Sequence, residues 1–276
     1  MSIFKIIKSR ILVTDIMENL QVKRPEEGIL PFAGHSFCAT SAALEDIVKF
    51  GEFMLIIGKE SLALSRNLLA NECALFERPA LWLPNCDPSA AMTALLSLIS
   101  GANSVDLKAH RVAALLFPNV RQAAEDLFVA PLQVIAAKSL TLQDLDKLAA
   151  KMVKQGLREV FLENILSLHI RPRERSSMSD LPTICQSLMK TARRHDLTVY
   201  AGLDTTDFSV VAPADVVVRA EKLSGDCARL GVKRGSGQPR FDLVRQEPCG
   251  RFSAHRQYPW DFSTGRHFAK AMRGMD

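Results

Sequence analysis

The chain has 276 residues, 47% of them hydrophobic and 24% charged, the balance of one sizeable globular α/β domain rather than a disordered or fibrous chain. No apolar run approaches the roughly 18 residues of a membrane span; the longer ones, such as Val112 to Phe117, are strand-sized. The opening stretch Met1 to Lys8 is too short and too interrupted by lysine for a secretory signal, so a cytoplasmic protein without membrane contact is expected.

The elements follow in chain order. Ile11 to Leu20 reads as a short helix within an N-terminal arm of residues 1–35. Residues 52–57 form a β-rich run, and Ser61 to Glu77 carries Leu62, Leu64, Leu68, Leu69 and Leu75 at helical spacing. Ala80 to Leu83 is the second strand. Asp87 caps a helix that runs to Ser100, with Gly101 as its stop. Pro131 to Ala136 is the third strand. Thr141, with Asp144 three residues on, caps the helix that ends near Gly156. Arg158 to Leu162 is the fourth strand, Ser179 or Asp180 caps a helix to His195, and Leu197 to Ala201 is the fifth strand. Asp215 to Arg219, Ala228 to Lys233 and Arg240 to Arg245 follow without intervening helices. Alternating strands and helices predict a mostly parallel sheet covered by helices on both faces, and the last strands predict an antiparallel C-terminal edge. The expected domain is 36–253, followed by a basic tail, 254–276, with one helix near Phe268.

The six cysteines form no C-x-x-C pair, and the histidines supply no matching spacing, so no metal centre is expected from them. The net charge of +5 is unevenly placed: residues 226–276 hold ten basic and five acidic side chains, while the first 225 hold 25 of each. A basic end on a neutral body points to an acidic partner, nucleic acid first, or to a solubilising tail.

Ligands of such a sheet bind at the C-terminal ends of its strands. The loop after the first of these strands reads Gly58-Lys59-Glu60-Ser61-Leu62-Ala63-Leu64-Ser65. Against the phosphate-loop pattern G-x-x-x-x-G-K-[ST], Gly58 and Ser65 fall in place, but the second glycine is Ala63 and the lysine is Leu64. From Gly34 to Ser253 the order and spacing of several blocks resemble the motor domain of the DnaB family of replicative helicases. They include Glu159 to Leu168 (EVFLENILSL), Ala214-Asp215-Val216-Val217, Gly231-Val232-Lys233-Arg234-Gly235 and Cys249-Gly250-Arg251-Phe252-Ser253.

The resemblance implies a RecA-like fold of the P-loop NTPase type with eroded chemistry. Leu64 stands where the family's lysine neutralises phosphate charge, which Leu64 cannot do. Gly58, Lys59, Ser61, Ala63, Leu64 and Ser65 are the counterparts of the nucleotide-binding residues. Glu163 matches the magnesium-holding acid, Asn85 the catalytic glutamate, Asp204 the sensor glutamine and Arg234 the arginine that reaches a neighbour's nucleotide. Asp87 is a substitute base with poor geometry. No cofactor, or only weak ATP and magnesium, is expected. Arg171, Arg173, Arg175, Lys233, Arg240 and Arg245 are the candidates for contact with single-stranded DNA, and a homo-oligomer or a RecA-type helicase is the expected protein partner. These features imply a pseudo-ATPase that binds or assembles in DNA replication, mobile-element maintenance or recombination. A divergent active ATPase, with Lys59 supplying the lost charge, and a RecA-fold scaffold of a secretion or signalling complex are the alternatives.

Overall fold

A computed structural model describes residues 4–23, 48–75, 77–137, 140–171, 176–207, 212–223, 227–235, 237, 240–246 and 252–254. The chain opens with β1 (Phe4–Lys8), α1 (Ser9–Glu18) and β2 (Gln21–Lys23), and resumes with β3 (Phe53–Ile57) and α2 (Ser61–Ala70), which runs into a π-helical turn, Asn71–Leu75. Then come β4 (Ala80–Leu83), α3 (Pro88–Ser100), α4 (Ser104–Lys108), β5 (Arg111–Ala113), α5 (Phe117–Val129), β6 (Leu132–Ala137), β7 (Leu140–Thr141) and α6 (Leu142–Val153). The last third holds β8 (Glu159–Leu162), β9 (Leu168–His169), α7 (Leu181–His195), β10 (Thr198–Leu203), β11 (Val216–Lys222), β12 (Cys227–Arg234), β13 (Arg240–Gln246) and β14 (Phe252–Ala254).

Ten strands form the main sheet in the order β1-β6-β4-β8-β10-β3-β11-β12-β13-β14. The six from β6 to β11 are parallel, and β12, β13 and β14 add the antiparallel C-terminal edge that the helix-free spacing predicts. Parallel strands need crossover helices, and these cover both faces, which is why β3 reads as the unbroken apolar run FMLII and is buried throughout. Successive side chains alternate between the faces. Met54, Ile56 and Trp82 pack toward the core that holds α1, α2, α3 and α5. Phe53, Leu55, Leu81 and Leu83 pack toward the core under α6 and α7. On the first face Phe161 and Tyr200, paired across β8 and β10, stack with centroids 4.3 Å apart.

Local signals set several boundaries. Asp87 Oδ2 accepts the N–H groups of Ser89 and Ala90 at the start of α3, and Gly101 ends that helix in a left-handed conformation. Thr141 Oγ1 accepts the N–H of Asp144 and caps α6 as expected. The helix after β3 departs from expectation, because its α-helical part stops at Ala70 and the rest is the π-helical turn.

Two corrections concern the N-terminal half. Residues 4–18 are not a free arm. β1 pairs antiparallel with β6 at the sheet edge, and α1 buries Leu12, Val13 and Ile16 in the core. Phe4 and Ile6 of β1 pack against one core and Ile7 against the other, while Lys5 and Lys8 stay exposed, as suits an edge strand. Val112 to Phe117 is not one strand either. Only Arg111–Ala113 is extended, and α5 begins at Phe117 and buries Val120, Ala123, Ala124 and Leu127 at helical spacing. Among the described residues no helix is long and apolar enough to cross a membrane. The expected helix near Phe268 lies outside the described residues.

Candidate functional site at the strand ends

Four neighbouring strands, β4, β8, β10 and β3, bring the sequence-predicted positions to one edge. Asn85 lies two residues beyond β4, and Glu163, Asp204 and Gly58 each lie one residue beyond β8, β10 and β3. The sheet thus gathers residues from positions 58 to 204 of the chain, as the resemblance implies.

The loop from Gly58 does not have the form of a phosphate cradle. Only Gly58, Lys59 and Glu60 separate β3 from α2, so Ser61, Ala63, Leu64 and Ser65 are all helical. The N–H of Ser61 is donated to the carbonyl of Gly58, and that of Leu64 to the carbonyl of Glu60. Those two donors are committed within the chain, whereas a cradle points its N–H groups at the anion. Leu64 is fully buried in the core, and Ser61 and Ser65 are buried with no partner for their hydroxyls. Ala63 is half-buried. Gly58 has φ +130°, and a Cβ there would lie 2.0 Å from the carbonyl oxygen of Ala220 on β11, so glycine is demanded by close approach as well as by backbone conformation. Lys59 Nζ sits 3.7 Å from Asp204 Oδ1, both side chains largely exposed.

Glu163 is the most enclosed member of the group, its side chain fully shielded from solvent. Arg66, which follows Ser65 on α2, donates from Nε to Glu163 Oε1 at 2.6 Å and from Nη2 to Oε2 at 3.1 Å. The N–H of Asn85 donates to Oε2 at 2.7 Å. Burial pulls the Arg66 guanidinium down in pKa, but the hydrogen bond and charge of Glu163 outweigh it and leave the group above its ordinary value. Arg66 Nη2 also approaches the thiol of Cys86 at 3.6 Å. The residues as arranged do not fit a divalent cation. Both carboxylate oxygens of Glu163 are engaged by donors, and among the described residues no group of three or more His, Cys, Asp or Glu side chains comes together. Arg66 was not singled out by sequence. Its position directly after the serine of the loop, on the helix that packs against the acid-bearing strand, was the available signal.

The other positions fall as follows. The Asn85 amide oxygen accepts from Asn164 at 3.4 Å and is exposed. Asp87 is committed to its cap. Arg234 stands at the other end of the sheet. Its register partner Val216 also pairs with Met54 at the start of β3, and its guanidinium binds Glu52. Lys233 and Arg171 are exposed. Arg240 and Arg245 take places on β13 opposite Val232 and Cys227. Arg173 and Arg175 lie outside the described residues.

Comparisons with known proteins place the fold. No family model matches the chain, and no curated protein matches it in sequence. Among solved structures, the ATPase domain of a DnaB-like helicase superposes with a TM-score of 0.66 at 14% identity, covering 89% of this chain and 97% of that one. A DnaB-like replicative helicase, solved with attention to its interactions with primase, superposes with a TM-score of 0.68 at 14% identity over 89% of this chain. This chain spans 66% of that helicase's length. The fold is therefore the RecA-like α/β fold of helicase ATPase domains.

Proposed function

We propose, starting from a helicase-domain fold whose first strand-end loop has closed into a helix, that this chain is a RecA-fold subunit that does not turn over ATP and instead binds or assembles with other components of DNA replication, mobile-element maintenance or recombination. The observation that carries this reading is Leu64. The position that would have to present a cation to phosphate oxygens is a helical, fully buried leucine, with its own N–H bonded to Glu60. Loss of one group that stabilises phosphoryl charge costs roughly 10²-fold or more in rate. Asn85, at the place of the general base, adds an amide that takes no proton at neutral pH. Neither ATP nor magnesium is needed in this reading.

The partner surfaces follow from charge and from the sheet. Arg171 and Lys233, with Arg173, Arg175, Arg240 and Arg245, are the candidate contacts for single-stranded DNA. A second copy or a RecA-type helicase subunit is the candidate partner at the Arg234 end. Steady-state ATPase assays with magnesium test the reading. No turnover above background is expected. Turnover near one per second that vanishes in Glu163→Gln would overturn it.

A further inference from the structure

The charge balance around Glu163 carries a second conclusion, which rests on the same strand-end site as the functional reading. A carboxylate with no solvent access needs a cation beside it, because an isolated buried charge is prohibitive. Two kinds of cation serve at the end of a strand: a diffusible divalent ion or a fixed side chain. In this chain Arg66 supplies the fixed one. Its two nitrogens take both oxygens of Glu163, its side chain is only 14% exposed, and it reaches the site from the helix that follows the Gly58 loop.

We propose that Arg66 stands in for a divalent metal ion, and that Glu163 is a latent cation site masked by the chain's own guanidinium. Three observations converge on this. The contact is two-pronged, the geometry in which a guanidinium matches a carboxylate best. The third donor to Glu163, the N–H of Asn85, comes from the main chain and is independent of Arg66. The outer side of the guanidinium faces the thiol of the exposed Cys86, so truncating Arg66 opens a space bounded by the Glu163 carboxylate and reachable from solvent. Arginine stays protonated at every accessible pH, so the mask is permanent rather than regulated by pH. The strand-end edge is thereby held together without metal or nucleotide, which suits a subunit whose role is assembly.

Manganese alone is the probe, read by the loss of the free-ion electron paramagnetic resonance signal on titration into the full chain without nucleotide. Wild type should leave the signal unchanged. Arg66→Ser should take up about one ion per chain, at least tenfold tighter than wild type, and Arg66→Ser with Glu163→Gln should lose that uptake. Circular dichroism on the same samples monitors folding. Recovery of the Arg66→Ser fold on adding manganese, but not on adding sodium chloride of equal ionic strength, would also support the proposal. Uptake by wild type that is lost in Glu163→Gln would overturn it. So would a folded Arg66→Ser that takes up no ion, or one that stays unfolded with manganese present, since an ion able to replace the guanidinium must restore the fold. Failure here is separable from failure of the functional reading: ATP turnover by wild type sinks that reading, whereas manganese uptake without turnover sinks only this one.

Discussion

The guanidinium of Arg234 binds the carboxylate of Glu52, a partner 182 positions earlier in the chain, and so ties the end of β12 to the entry of β3. The pair stands at the end of the sheet opposite the Gly58 loop, so Arg234 cannot serve the strand-end site of its own chain. Only a neighbouring subunit could receive it there.

Self-association through that end is expected, and Arg234→Ala should shift the mass measured by multi-angle light scattering toward the monomer. The same substitution should cost at most about 1 kcal/mol of stability, because the arginine side chain is 42% exposed and such pairs are weak. A strict monomer in both proteins, with no affinity for a RecA-type helicase, would remove this interface from consideration.

Glu159 sets a pH dependence. It begins β8, is fully buried, and receives Arg78 at 3.4 Å, while Arg78 also binds Glu72 at 2.7 Å. Tyr200 and the buried thiol of Cys73 lie in the same charge environment. Burial, and then the negative charge of Glu72, push the Glu159 carboxyl up to about 8 despite Arg78. The folded state therefore keeps a proton that the unfolded chain releases near 4.5, so this group's contribution to stability falls as pH rises from about 4.5 to about 8. Glu159→Gln, which mimics the protonated form, should match wild type near pH 5 and exceed it at pH 9 by an amount on the order of a few kcal/mol. Urea denaturation of both proteins across that range is the measurement; parallel curves would refute the assignment.

Two glycines hold strand ends at close approach. A Cβ on Gly202 of β10 would lie 2.4 Å from the carbonyl oxygen of Glu163, and one on Gly58 would lie 2.0 Å from that of Ala220. Gly58→Ala and Gly202→Ala should each lower stability by about 2 kcal/mol or more, since backbone must move in both. Gly156→Ala is the control: its φ of +92° is strained for alanine, but nothing lies within 4 Å, so a loss of about 1–2 kcal/mol is expected. Equal losses at all three positions would show that crowding contributes nothing.

Binding to single-stranded DNA should be weak, driven by charge and nearly indifferent to sequence. Fluorescence anisotropy with a labelled oligonucleotide should show affinity at about 50 mM salt that falls steeply as salt rises, with log–log slope set by the number of phosphates neutralised. Charge reversal at Arg171 and Lys233, both exposed, should flatten that slope. Absence of binding at the lowest salt would favour a scaffold that has left nucleic acid behind.

Features that depend on near neighbours were legible in the letters of the chain. Asp87 with Gly101, and Thr141 with Asp144, mark helix ends through hydrogen bonds that span two to four residues. The apolar runs of β3 and β4 declare strands buried on both faces. Leu64 in place of lysine is an erosion visible without any coordinates, and the block order carried the fold. Folding settled what depends on which distant strands become neighbours. Residues 4–8, punctuated by lysine, read as an arm until β6 supplies their hydrogen bonds. Glu163 reads as a metal ligand until the packing of α2 against β8 brings Arg66, 97 positions away in sequence, onto both of its oxygens. Glu159 looks like an ordinary surface glutamate until the sheet closes around it. A carboxylate's chemistry is fixed by its solvent and its counter-charge, and both are set by sheet order and helix packing, which no local pattern encodes.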